Sequence, residues 1–588
     1  MPIVNDLTIK IGGEAGQGVE SSGAGFAKAL ARAGLWIYGL QDYMSRIRGG
    51  HNFYQIRASD QENWTFRDAI HMLLPFTPEA VERHWREVVP GGAVLHDLSV
   101  KFDEAPLRAA GLKLFGLPLL KIAEEHGSRI MMNTAALGAV AGITEFGFAH
   151  IEDIIATNFR RKGDAVVDGN LKVARHAYEV AREKFAAEYE WKLQARPGAQ
   201  RMLINGNQAI ALGAIASGCR FISGYPMTPA TSILEYLNSK AHLFGIVCKQ
   251  TEDEISGILT AIGAAHAGVR AMTATSGGGF SLWAEALGFA GMTETPLVMV
   301  DSQRAGPSTG LPTRTEQSDL AFVLHASHGE FPRIILTPGT IEECFHAAAR
   351  AFNLAEKYQM PVIIMQDLTQ SNAIRSIDKD RFDFEAVRID RGALLTGEEL
   401  DRIEDYRRHL LTEDGISPRA VPGHPNAVYV TTGDEHTEYG FITEESDDRR
   451  AQMNKRMHKQ EVAAREMRLP LRYGPEDADV TFVGWGSTYG ALREAVDVLN
   501  LDGPRANLLH FMEVWPLDWD QVKAQLDAAR SLVLVEQNYT GQLGNLIRTF
   551  TGKAMDKRIL KYDGRPISAD EIVAAVRGQV REEVTVHA

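Results

Sequence analysis

Residues 223–237 read SGYPMTPATSILEYL, and residues 250–268 read QTEDEISGILTAIGAAHAG. Residues 273–303 continue as TATSGGGFSLWAEALGFAGMTETPLVMVDSQ, and residues 304–320 as RAGPSTGLPTRTEQSDL. Short apolar runs bounded by turn residues alternate with longer segments of helical period, so the stretch reads as strand, helix, strand, helix, strand. That alternation is the signature of an α/β fold with a parallel sheet. The joins are unusual for a sheet that only has to pack. They hold a Thr between two prolines, an acidic triplet, a Gly run, and an Arg followed by a loop rich in Gly, Pro and Thr. In open α/β sheets ligands collect at the carboxyl ends of the strands, where these joins lie.

Each join admits a bland reading beside a functional one. Pro226 and Pro229 fix φ at two positions and hold Thr228 in an extended turn, yet Thr228 is also a good N-cap with Pro229 as the first helical residue. Thr251 and Glu254 have capping-box spacing. The helix after them is almost wholly small or apolar and should be buried, so three acids at its mouth exceed what capping needs. A carboxylate placed there could relay a proton. Gly277 to Gly279 permit a tight reversal and close approach of another surface. Arg304, on a loop stiffened by Pro307 and Pro312, suits two-pronged capture of a carboxylate, or is simply solvated.

Outward from this stretch the alternation continues. LTIKI (residues 7–11) is a strand, GGEAGQGVESSG a Gly-rich turn, and GFAKALARAG a helix, an arrangement that aims backbone N–H groups at an anion. Neither familiar nucleotide fingerprint fits. Ser21 stands where the dinucleotide pattern needs Gly or Ala, and Val19-Glu20 where an NTP loop needs Lys-Ser/Thr. The turn remains either a nest for a phosphate that is not hydrolysed or plain backbone geometry. Arg46 and Arg48 precede a Gly pair and then the alternating run NFYQIRAS, and suit an anion, a partner chain or surface cover. Glu536, in VEQNYTGQL, again follows a strand. Residues 375–473 turn polar and mixed in charge, which suggests a solvated excursion with one helix.

With 588 residues the chain is too long for one core. A net charge of −14 repels a phosphate backbone and makes nucleic acid an unlikely partner. No run of eighteen apolar residues and no leader pattern appears, so a cytoplasmic protein without membrane spans is expected. Three scattered cysteines suggest a reducing compartment and cannot form a four-cysteine cluster.

Taken together, GGEAGQG, SRIRGG, GYPMTP, TEDE, TATSGGGFSL, GMTETPLV, QRAGPSTGLPTRTEQSDL and VEQNYTGQL resemble the 2-oxoacid:ferredoxin oxidoreductases. The chain looks like an α subunit with a γ domain fused at its N-terminus, as in the 2-oxoglutarate enzymes. The resemblance implies three α/β domains. A γ-type domain would cover 1–196, a thiamine-diphosphate pyrimidine domain 197–376, and a transketolase C-terminal-like domain 474–588, with a charged connection at 377–473. It implies oxidative decarboxylation of a 2-oxoacid with thiamine diphosphate, coenzyme A taking the acyl group and ferredoxin the electrons. Glu254, with Glu252 in reserve, would face the cofactor's aminopyrimidine. Arg304 would pair with the substrate carboxylate, and Thr228 and Thr313 would hydrogen-bond the substrate. Gly12, Gly13, Gly16 and Gly18, with the third domain, would help receive coenzyme A. The family's Gly-Asp-Gly…Asn clamp is missing, so Mg²⁺ with the diphosphate, and the [4Fe–4S] cluster, would belong to a β subunit in a dimer of heterodimers. Met227 replaces the usual Ile, and TSGGG the commoner TSGPG.

Overall fold

The computed structural model describes residues 2–45, 49–196, 198, 201–579 and 584–587. Arg46, Arg48 and the boundary expected near Pro197 lie outside the described residues. The chain divides into two compact units. One comprises Met1–Asn205 with Asn372–Arg381 and Ser568–Asp570, the other Gly206–Ser371, Phe382–Ile567 and Glu571–Ala588.

The first unit is built on an eight-stranded sheet. Its strands are β1 (Asp6–Glu14), β2 (Trp36–Asp42), β3 (His51–Ser59), β4 (Ile70–Pro75), β5 (Val88–Asp97), β6 (Lys113–Leu117) and β7 (Arg201–Ile204), joined by Ile374–Asp378. Spatially they run β6-β5-β4-β1-β3-β2, then Ile374–Asp378, then β7. Helix α1 (Val19–Arg32) follows β1, and α2 (Met132–Ile143) packs against α3 (Asp164–Phe185). Gly138 and Gly142 make that packing close. A Cβ on Gly138 would lie 2.1 Å from the Ala174 carbonyl oxygen, and one on Gly142 2.3 Å from that of Tyr178.

The second unit carries two sheets. Strands β8 (Phe221–Gly224), β9 (Val247–Gln250), β10 (Ala271–Thr275), β11 (Leu297–Gln303), β12 (Ile334–Leu336) and β13 (Pro361–Asp367) are parallel, in the order β9-β8-β10-β11-β13-β12. Between them come α4 (Thr231–Phe244), α5 (Glu254–His266), α6 (Gly277–Leu282), α7 (Leu320–His325) and α8 (Ile341–Tyr358). Both β11 and β13 are buried along their whole length, which is why they read as continuous apolar runs.

The expected third domain forms its own six-stranded sheet around Val480–Trp485, but it does not stand apart from the second. Its strand Glu513–Trp515 pairs antiparallel with β12 and extends the first sheet, so both expected domains share one unit.

The solvated excursion expected between them is corrected by the structure. Its one long helix, α9 (Ser446–Ala464), is present, but Lys455, Arg456 and Lys459 on it are buried. Each charge has a partner. Glu294 accepts from Lys455 at 2.6 Å, from Lys459 at 2.5 Å and from His409 at 3.0 Å, while Arg456 pairs with Glu435. The excursion keeps a wet face, but one face of the helix buries matched charge pairs. A buried charge is tolerable only when so paired.

Candidate active site

The site lies at the carboxyl ends of β8, β10 and β11 in the second unit. The chain leaves β9 through Thr251 and enters α5. The expected capping box of Thr251 and Glu254 is not the one formed. Asp253 is the N-cap; its side chain accepts from the Ser256 N–H at 2.7 Å, and Ser256 answers as the reciprocal partner. That hydrogen bond lowers the Asp253 carboxyl below its usual range. Glu254 is thereby released from capping and becomes the first residue of the helix.

Of the acidic triplet only Glu254 is buried, at 5% exposure, whereas Glu252 and Asp253 face solvent. Its main-chain carbonyl accepts from the Trp283 indole N–H at 2.9 Å, and its Oε1 is buried with no hydrogen-bond partner among the described residues. Its side chain passes over Gly279, where a Cβ would lie 2.9 Å from Glu254 Cγ and 2.0 Å from Thr275 Oγ1. Helix α5 is drawn onto β8 by a hydrogen bond from the Ser223 hydroxyl to the Gly257 carbonyl at 2.6 Å.

Thr228 is not a helix cap either. Helix α4 begins at Thr231 with Ala230 before it, and the Thr228 carbonyl accepts from Arg304 Nη1 at 2.9 Å. This bond joins the turn after β8 to the loop after β11. Burial lowers the Arg304 guanidinium from its ordinary value, while the carboxylates of Asp319 and Glu254 oppose that shift. Ala305 N–H donates to the Arg314 carbonyl at 3.1 Å, which folds the Pro-rich loop back so that buried Thr313 neighbours the Arg304 strand end. Thr228, Arg304 and Thr313 therefore belong to loops at these strand ends, and Glu254 opens the helix that starts beside them.

Sequence reasoning missed two carboxyl groups here, Asp301 and Asp319. The available signal was an acid inside the apolar run PLVMVDSQ. Glu536, in the third domain, accepts through its carboxylate from Trp485 Nε1, Asn538 Nδ2 and the N–H groups of Leu543 and Gly544, and so organises its own loop.

The glycines of the N-terminal turn divide in two. Gly12 and Gly13 lie inside β1, where a Cβ would press on Ala80 and on Gln17, respectively. Gly16 (φ 91°) and Gly18 (φ 74°) form the turn proper, and Asn133 Nδ2 packs against Gly18 while donating to the Gln17 carbonyl at 2.7 Å. Beside this turn the first unit has a cavity of about 770 Å³ lined by Ser21, Lys28, Asn133, Asn158 and Lys162, with apolar walls from Met131 and Ile154.

Three family descriptions match the chain. Residues 8–180 match "Pyruvate ferredoxin/flavodoxin oxidoreductase", residues 212–455 "Pyruvate flavodoxin/ferredoxin oxidoreductase, thiamine diP-bdg", and residues 472–576 "Transketolase, C-terminal domain". The chain is 33% identical to the α subunit of 2-oxoacid:ferredoxin oxidoreductase 2 from Aeropyrum pernix, over 97% of both proteins. The chain belongs to the 2-oxoacid:ferredoxin oxidoreductases. Another member, the 2-oxoglutarate synthase subunit KorA of Methanothermobacter thermautotrophicus, is 35% identical over 64% of this chain and 97% of its own. A solved 2-oxoglutarate:ferredoxin oxidoreductase from Magnetococcus marinus, with 2-oxoglutarate, coenzyme A and succinyl-CoA bound, superposes with a TM-score of 0.91. It is 34% identical, covering 98% of this chain and 100% of that one.

As a 2-oxoacid:ferredoxin oxidoreductase subunit the chain is part of an enzyme, and its central region is of the thiamine-diphosphate-binding kind. The residues present fit such a group. A buried carboxylate oxygen with no partner of its own is what a nitrogen-rich aminopyrimidine requires. No helix among the described residues is long and apolar enough to cross a membrane.

Proposed function

We propose that this chain is the α subunit, with a fused γ-type domain, of a 2-oxoglutarate:ferredoxin oxidoreductase that converts 2-oxoglutarate and coenzyme A to succinyl-CoA and CO₂. The observation that carries the reading is Glu254, a buried carboxylate left free of capping and packed against a glycine turn. The names of the Methanothermobacter and Magnetococcus relatives support 2-oxoglutarate as the substrate.

Bound thiamine diphosphate supplies the nucleophilic carbon and the electron sink that decarboxylation needs. Glu254 holds and moves a proton at the aminopyrimidine ring nitrogen. Arg304 anchors the 2-oxoacid carboxylate, and the Thr228 and Thr313 hydroxyls orient the substrate beside it. The Thr228 carbonyl fixes the guanidinium through its hydrogen bond to Nη1, so the anchor is preorganised. Excluding water from these loops strengthens each such interaction. The γ-type domain receives part of coenzyme A. The cavity beside Gly16 and Gly18 offers Lys28 and Lys162 for an anionic group, while Gly12 and Gly13 shape the strand that leads into the turn.

Mg²⁺, the diphosphate and a [4Fe–4S] cluster are assigned to a β subunit, with ferredoxin as acceptor and a dimer of heterodimers as the assembly. The apolar side chains Ile255, Leu259 and Leu282, exposed on the helices that carry and flank Glu254, suit a covering partner. A 2-oxoacid panel on the reconstituted complex, with ferredoxin as acceptor, tests the reading. Turnover should be highest with 2-oxoglutarate, and Arg304→Ala should lower kcat/KM by roughly 10²-fold or more. Unchanged turnover of every 2-oxoacid by Arg304→Ala would refute it.

A further inference from the structure

The strand ends that carry Arg304 bring together more carboxyl groups than the proposed reaction uses. Asp301 of β11 is in register with Thr275 of β10, so the two side chains leave the same face of the sheet. The Thr275 hydroxyl lies beneath Gly279, on which Glu254 also rests. Asp319 reaches this face from the far side of the Pro-rich loop. Its N–H donates to Gln303 Oε1 at 3.0 Å, and Gln303 stands two residues beyond Asp301, on the same face of β11. Its carboxylate presses on Gly277 so closely that a Cβ there would lie 2.2 Å from Oδ2. Glu254 and Asp319 thus both meet the single turn at residues 276–279, and Asp301 lies beside Asp319 on the same face of the sheet.

Asp301 is fully buried, and neither of its Oδ atoms has a hydrogen-bond partner among the described residues; the same holds for Asp319 Oδ2. The charged groups that face this cluster are Arg304, Glu254 and Glu316. Burial, with the neighbouring Asp319, pushes the Asp301 carboxyl well above its usual range. Burial also pushes Asp319 up to about 6, against the pull of Arg304, and Glu316 up to about 7.

We propose that Asp319 is a positioning residue that balances the charge of Arg304 in the substrate-free site and takes up a proton when a 2-oxoacid carboxylate arrives there, with Asp301 held behind it as a carboxylic acid. This rests on Arg304 being the substrate's carboxylate anchor. The incoming anion claims the guanidinium, and an ionised Asp319 would then face a second anion and Glu254 with no cation of its own. Like charges in a poorly solvated site do not all stay ionised. Among these acids Asp319 is the one whose carboxyl is held down by Arg304, so the loss of that cation to the substrate falls on it. The proton comes from solvent, and no bond of the substrate changes in this step.

One proton taken up on binding makes affinity fall by up to about tenfold per pH unit above the free-site value near 6. The test uses the reconstituted enzyme, comparing KM for 2-oxoglutarate and Ki for the unreactive analogue N-oxalylglycine at several pH values from 6 to 8. Both constants should rise with pH while kcat changes little. Asp319→Asn should flatten both rises, and Glu316→Gln should leave them in place. A wild-type Ki independent of pH overturns the proposal, as does a slope that survives Asp319→Asn or vanishes with Glu316→Gln. Arg304→Ala separates the two levels. If it leaves Ki unchanged, the anchor assignment itself fails; if it weakens binding while the wild-type slope is absent, only the role of Asp319 fails.

Discussion

The indole N–H of Trp283 donates to the main-chain carbonyl of Glu254 at 2.9 Å, and both residues are buried. The bond ties the first turn of α5 to the segment just after the glycine turn, so the carboxylate and the turn it crosses move as one piece. An active-site acid is useful only when its backbone is held as firmly as this.

Glu254→Gln keeps the shape and removes the titratable carboxyl. Turnover of the reconstituted enzyme should fall by about 10²–10⁴-fold with little change in melting temperature. Trp283→Phe removes this bond and part of a buried ring, while the Glu254 carbonyl keeps its place in the helix ladder; the loss should cost about 1 kcal/mol or more and be read as a lower Tm.

The glycines of the turn should not be equivalent. A Cβ on Gly279 would lie 2.0 Å from Thr275 Oγ1 and 3.0 Å from Glu254 Oε1, whereas the nearest atom to one on Gly278 is the Ser308 carbonyl oxygen at 3.7 Å. Gly279→Ala should therefore cost about 1–3 kcal/mol and depress turnover by displacing Glu254. Gly278→Ala should do neither, a contrast visible in parallel Tm and kcat measurements.

In the first unit, His71 Nδ1 accepts the Thr8 N–H at 2.8 Å, and burial lowers this imidazole to about 4. Between about 4 and the unfolded value near 6.5 the unfolded chain binds more protons, so stability falls as pH falls through that window. The slope is at most about 1.4 kcal/mol per pH unit for this group. His71→Asn, which can accept the same bond without titrating, should make Tm less sensitive to acid.

Glu294 is the hub of the buried charges beneath α9. Glu294→Gln leaves Lys455 and Lys459 buried without their carboxylate and should cost about 3–5 kcal/mol. Adding Lys455→Met and Lys459→Met should recover most of the lost Tm, since apolar replacements carry no desolvation penalty. If the triple variant stayed as unstable as the single one, another group would be holding this segment.

The alternation of strands and helices, and the strand ends as the place for the site, were legible because periodicity and turn chemistry are local properties. Thr228, Glu254, Arg304 and Thr313 were legible as members of unusual joins. Their local partners were read wrongly in two cases. Asp253 with Ser256 forms the capping box assigned to Thr251 and Glu254, and Ala230 stands where Thr228 was expected to cap. Capping is decided by φ and ψ at one residue, and spacing alone cannot choose between acids one position apart.

By itself, then, the sequence determined the α/β alternation, the family and the unusual loops at the strand ends. Only the tertiary structure decided that Glu254 and not Glu252 turns inward, and that Asp301 and Asp319 are neighbours although seventeen residues separate them in the chain. It also decided that one face of α9 buries Lys455, Arg456 and Lys459 against acidic partners. The physical reason is common to all three. Burial and electrostatic pairing depend on neighbours brought from distant parts of the chain, which no local pattern encodes.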